Sequence, residues 1–169
     1  MVVATASQAF GRCNIAERDG RAILLARRRF GQENIPIQQI RDACSGSVCA
    51  TIAGKAVSTL LAGSPECDQQ DLADELIDAS KDFDQETAQK MVAAAIAFRQ
   101  AEKNTRPDFS TNPPTNLNSV FCQKAPRNQE LKGLVQAQDP ANNPDLFFDP
   151  ASGATVVKGT QPNTEPFQG

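Results

Sequence analysis

The chain contains no histidine, no tryptophan and no tyrosine. Each absence removes a class of chemistry. Histidine is the one side chain whose unperturbed pKa lies near neutrality, so a Ser-His-Asp triad, a Cys-His pair and an imidazole metal ligand are all excluded. Without Trp and Tyr, the broad platforms on which sugars and bases stack are missing. No run of about 18 apolar residues occurs, so no membrane-crossing helix is expected. The net charge of −3 is not the basic footprint of a nucleic-acid binder. Residues 1–10 carry no charged n-region and do not read as a signal peptide.

What remains is 169 residues with five cysteines and nine phenylalanines. A chain of this length can bury a real core, here built mostly from Ala, Val, Ile and Leu. Five cysteines in a loop-rich chain point to a disulfide framework more than to cytosolic thiols. The candidates are Cys13, Cys44, Cys49, Cys67 and Cys122. The count is odd, so one thiol is free or pairs with another molecule. Cys44 and Cys49 enclose Ser-Gly-Ser-Val; they either bridge locally or each reach a different element, and the sequence does not choose. No C-x-x-C redox motif is present.

Prolines divide the chain. Nine of the eleven lie after residue 104, and proline breaks helix interiors. Residues 1–103 therefore read as a helical domain and 104–169 as an extended arm docked on it. The fold class expected is mainly α: about five helices in a bundle, wrapped by a Pro-rich C-terminal arm with little strand. The first helix has Asn14 and Glu17 as a cap pair, Ala22, Ile23, Ala26 and Phe30 at helical spacing, and Gly31 as its stop. A second starts near Pro36 and carries Ile37, Ile40 and Cys44. A third, Ala-rich, runs from Val48 to Leu61. Asp68 caps a fourth with Leu72, Leu76 and Ile77 inward. Asp84 caps a fifth, running to about Lys103 with Met91, Val92, Ala95, Ile96 and Phe98 or Arg99 on its stripe. In the arm, Phe109, Phe121, Phe147, Phe148 and Phe167 serve as anchors, and Cys122 is placed to tie the arm to a helix, which would stabilise by roughly 3–5 kcal/mol. Residues 149–153 read as a turn before a short strand at Ala154–Val157.

Charge is unevenly placed. Seven arginines fall in the first 41 residues, whereas Glu66 to Glu86 holds nine carboxylates against one Lys. Most of this reads as solvated faces. The sharper reading of Arg27, Arg28 and Arg29 is an anion patch. Asp78, Asp82, Asp84 and Glu86 supply oxygen ligands of the kind calcium takes, but without the order of a calcium-binding loop, so capping and solvation are favoured. Two carboxylates suffice for glycoside hydrolysis, though with so many acids no pair stands out. Cys13, beside Arg12 and before a helical pattern, is the one cysteine placed for activation as a nucleophile; a disulfide is the plainer role. The Ala-rich third and fifth helices read as central elements of the bundle, or as the lining of a cavity for an apolar ligand.

The run from Asn143 to Pro150, Asn-Pro-Asp-Leu-Phe-Phe-Asp-Pro, followed by Ala151 to Thr160, resembles the C-terminal part of small secreted proteins of fungi, chiefly basidiomycetes. The helical part with Cys44, Cys49 and Cys67 is similar in style to that group. The resemblance implies secretion, disulfides and a role outside the cell or at a host or substrate surface. It carries over no site residues.

These readings converge on an extracellular, non-enzymatic interaction or structural protein, effector-like, in its mature form. No cofactor, no metal and no catalytic set is read. The partner is a protein or an extracellular surface, with no nucleic acid and no membrane span. Two alternatives stand beside this: a carrier of a small apolar ligand within the bundle, and a histidine-independent hydrolase using carboxylates or Cys13.

Overall fold

The computed structural model describes residues 14–18, 21–25 and 35–168. Strands β1 (Asn14–Arg18) and β2 (Arg21–Leu25) pair antiparallel, with Asn14 opposite Leu25 and Arg18 opposite Arg21. This replaces the first of the five expected helices. The dipeptide between the strands is Asp19-Gly20, the strongest short-range hairpin signal, and a five-residue apolar run suits a strand as well as a helix. Half of the helical pattern rested on Ala26 and Phe30, which lie outside the described residues.

Four α-helices follow: α1 (Ile35–Ala43), α2 (Ser47–Thr59), α3 (Asp68–Ser80) and α4 (Gln85–Arg99). α1 packs on α2, α2 on α3, α3 on α4, and α4 back on α1. Pro36 sits in the first turn of α1, where its missing N–H has no helical partner to lose. Ile37, Ile40 and Ala43 form the buried face of this helix. Between α1 and α2, Gly46 has φ +90° and ψ −165°, a conformation essentially reserved for glycine. The Cys44–Cys49 disulfide clasps this break, with Cα atoms 5.7 Å apart.

α2 buries Cys49, Ile52, Ala53 and Ala56, the spacing of one helical face. α3 is preceded by Cys67, which makes no side-chain cap. Asp68 is instead its first residue, and its carboxylate accepts from Ser64 Oγ at 2.9 Å; it favours the helix N-terminus by charge. α4 begins as read, with Asp84 Oδ1 accepting from the Glu86 and Thr87 amides at 3.1 Å each. Hydrogen bonding from the Thr87 side chain, followed by the Thr87 and Glu86 amides, holds the Asp84 carboxyl below its usual range. Ala53, Ala56, Ala73 and Ala95 are fully buried in the same cluster as Ile40, Leu60, Leu76, Met91 and Phe98. The small residues allow the helices to approach, and the large ones fill the space between them.

Residues 104–168 are not an extended arm. They fold on themselves. Strands β3 (Pro107–Asp108) and β4 (Thr115–Asn116) form one short antiparallel pair. β5 (Asn118–Ser119), β6 (Leu146–Asp149) and β7 (Ala154–Val157) form a three-stranded sheet in which β5 and β6 are parallel and β6 and β7 antiparallel. The β6–β7 turn is tied by Asp149, whose carboxylate accepts from Ala151 N and Ser152 Oγ. Two 3₁₀ turns, Gln129–Leu131 and Pro162–Thr164, complete this unit. It has a small core of its own, Val120, Phe121 and Phe147 with Val156 against them. Of the five phenylalanine anchors, Phe121, Phe147 and Phe148 are buried, whereas Phe109 is 78% exposed and Phe167 41%. Neither of the latter two is an anchor in the sense expected.

The two parts meet along α3. Cys67 and Cys122 are disulfide-bonded across 55 residues of sequence. Leu131 joins the helical core. The buried Asp74 carboxylate accepts from Arg127 N at 3.0 Å, Asn128 N at 2.8 Å and Asn128 Nδ2 at 2.9 Å. Gln70 Nε2 donates to Lys124 O at 3.0 Å. Exposed ion pairs flank this seam, Lys124 with Asp71 at 2.6 Å and Arg127 with Asp78 at 3.0 Å. The bond from Lys81, aided by Asn128 and Arg127, keeps the Asp78 carboxyl below its usual range. At the end of α4, Lys103 is buried and its Nζ donates to Ser64 O at 3.3 Å and Pro65 O at 3.1 Å.

Two measurements test this seam. Asp74→Ala strands the main-chain N–H groups of Arg127 and Asn128, while Asn128 Nδ2 keeps Asp78 Oδ1 and the main-chain oxygen of residue 74, and is expected to cost about 3 kcal/mol or more in urea unfolding of the oxidised protein; a cost below about 1 kcal/mol would show the seam to be solvated. Burial lowers the Lys103 pKa from 10.5 to about 8, against the opposing pull of Asp68 and Glu66. The unfolded chain then holds a proton between about pH 8 and 10.5 that the native chain has released, so this group makes stability rise with pH across that window and contributes no pH dependence below it. Relative to Lys103→Met, the wild-type unfolding free energy is expected to climb by on the order of 3 kcal/mol over that interval; parallel profiles would contradict it.

Candidate binding groove on the C-terminal unit

The tail is rich in Asn and Gln, a composition that by itself permits disorder. In the fold these amides do the work that ladder partners do in a regular sheet. Gln138 faces the main chain of Ser119 as a strand residue would: its Oε1 accepts from Ser119 N at 2.9 Å, and its Nε2 donates to Ser119 O at 2.8 Å. Gln136 Nε2 donates to Ser119 Oγ at 2.6 Å and Val120 O at 3.0 Å. Asn118 Nδ2 donates to Asn143 O at 2.7 Å. Irregular backbone needs its polar groups met, and side-chain amides can supply both a donor and an acceptor.

This framework holds open a surface groove of about 430 Å³, within the size range of small-molecule sites. Phe121 and Phe147 lie at its base, their ring centroids 6.0 Å apart and tilted by 55°. Asn118, Gln138 and Asn142 bring amides to it, and Pro140, Pro144 and Pro166 give it rigid apolar walls. Lys158 and Glu165 also line it and form an ion pair at 3.6 Å, both half-exposed. An apolar base with a few polar groups around it suits a ligand or side chain carrying one apolar group and neighbouring hydrogen-bonding atoms.

A second groove, about 420 Å³, lies between α1 and α4 over Gln38, Gln39, Asp42, Ala93 and Ala94. Its rim includes Ile35, where this described stretch begins.

The other residues singled out in the sequence are placed as follows. Cys44 pairs with Cys49 and Cys67 with Cys122. Cys13 and the Arg27, Arg28 and Arg29 patch lie outside the described residues. Three of the four carboxylates considered for calcium are engaged separately: Asp78 with Lys81 and Arg127, Asp84 as the α4 cap, Glu86 with Lys90 at 2.7 Å. Among the described residues no helix is long and apolar enough to cross a membrane. Phe121 and Phe147 were legible as aromatic anchors. Gln136, Gln138 and Asn118 were not, because no periodicity marks an amide that will meet a loop.

No protein-family model matches the chain, and no curated protein or solved structure matches it.

Gln138→Ala removes the acceptor of the Ser119 amide and one of the two side-chain donors to its carbonyl, leaving Gln136 Nε2 at 3.3 Å. Native-state hydrogen exchange at the Ser119 amide is expected to accelerate by roughly 10-fold or more, with the amides of α2 unchanged. Unaltered exchange at Ser119 would show that the groove does not depend on this pairing.

Proposed function

We propose that the protein is a secreted, non-enzymatic interaction protein that presents the C-terminal groove to an extracellular protein or surface. The observation that carries this is the pair of disulfides. Such bonds form and persist in oxidising compartments. One of them fastens the groove-bearing unit to the helical bundle, so oxidation and presentation of the groove are coupled. The resemblance of residues 143–160 to small secreted fungal proteins, which implies a role outside the cell or at a host or substrate surface, supports the same reading.

The two alternatives have less to draw on. A carrier of an apolar ligand inside the bundle needs space where Ala53, Ala56, Ala73 and Ala95 are fully buried against one another's helices. A hydrolase would draw on Cys13, outside the described residues, or on carboxylates such as Asp74 and Asp84, which are held by backbone amides.

The reading is tested on protein from its native source. Intact mass before and after reduction is expected to rise by two hydrogens for each of the two bridges, in material recovered outside the cell. Recovery inside the cell with every cysteine reactive to alkylation would overturn it.

A further inference from the structure

Arg99, at the end of α4, is 6% exposed. Such a charge is costly to bury unless its donors are met. Among the described residues its one hydrogen bond runs from Nη2 to Gln70 Oε1 at 3.2 Å. Its Nε is buried and has no partner among the described residues. Asp74 acts on it through space, but the Asp74 oxygens are already taken by the 127–128 segment.

Arg99 lines a cavity of about 40 Å³, room for about three water-sized centres. It is the one charged residue in that wall; Phe121, Pro126, Leu131, Leu134 and Phe167 make much of the rest. A guanidinium edge suits a carboxylate, which takes two parallel N–H donors. A single guanidinium balances one negative charge and would leave a multiply charged phosphate uncompensated among apolar walls. Its apolar walls suit a short alkyl tail. Phe167, partly exposed, stands at the solvent side and limits the length of that tail.

We propose that this cavity binds a small monocarboxylate of acetate or propionate size, with its oxygens on the Arg99 guanidinium and its tail against Leu131 and Leu134. The site is distinct from the groove, although Phe121 and Pro166 border both, and it does not depend on the function proposed above.

The test uses the full oxidised chain. Sodium acetate, propionate, hexanoate and chloride are titrated at constant ionic strength while the Arg99 Nε–H resonance is followed by NMR. Acetate and propionate are expected to shift it saturably below about 50 mM, corresponding to weak but specific binding, with hexanoate and chloride leaving it in place. Arg99→Gln is expected to weaken acetate binding at least about 10-fold, read from the Leu131 and Leu134 methyls. Should that variant not fold, Phe167→Ala keeps the arginine and is expected to admit hexanoate. A non-saturating shift with acetate, an equal shift with chloride, undiminished binding in Arg99→Gln, or an unchanged length limit in Phe167→Ala would each overturn the proposal.

Discussion

A buried carboxylate on the middle of α3 organises this molecule. Asp74 is 1% exposed, and a charge in that position is tolerable only when its lone pairs are filled. The donors come from Arg127 and Asn128, more than 50 residues away. α3 consequently buries two faces of opposite character. Leu72, Leu76 and Ile77 meet the other helices, while Gln70 and Asp74 meet the C-terminal segment. Cys67, at the start of the same helix, fixes the segment covalently at Cys122. The bond restricts where residues 122–128 can lie, and the carboxylate selects their conformation within that restriction.

Much of the helical part was legible because its signals are local. Ile37 with Ile40, Ile52 with Ala53 and Ala56, and Met91 with Ala95 and Phe98 recur at the helical period and are buried as that period requires. Asp84 caps α4 through atoms two and three residues away. The failures have physical reasons too. The spacing of Ala22, Ile23, Ala26 and Phe30 suggests a helix, but Asp19-Gly20 just before it is a hairpin signal. Asp74 sits among nine carboxylates between Glu66 and Glu86, and which of them is buried is decided by a partner that no local pattern names. Prolines and amides disfavour long helices and strands, so the C-terminal third predicts an extended segment. Its order comes from amide-to-backbone bonds such as those of Gln138 and Gln136, which lie outside any periodic pattern.

The adjacent pair Phe147-Phe148 shows how few residues connect the two parts. Side chains alternate faces along a strand. Phe147 meets Phe121 in the small core and at the base of the groove. Phe148 takes the other side, under the Arg106 guanidinium at 4.7 Å and beside Lys103 and Ala62 at the end of the bundle. One aromatic serves the binding surface and the next serves the junction that holds it in place.

The parallel pairing of β5 and β6 carries a topological consequence. Parallel neighbours require a long connection, which in most folds is a helix laid across the sheet. Here the connection between them contains Cys122, Arg127, Asn128 and Leu131, the residues laid on α3 and into the helical core. The bundle thus stands in for the missing crossover helix. The alignment of β5 with β6 is set by how this stretch is seated on α3. A slip of one residue there would shift β5 against β6 and exchange the faces on which Asn118 and Ser119 stand. The helices act as a gauge for the register of a sheet to which they contribute no strand.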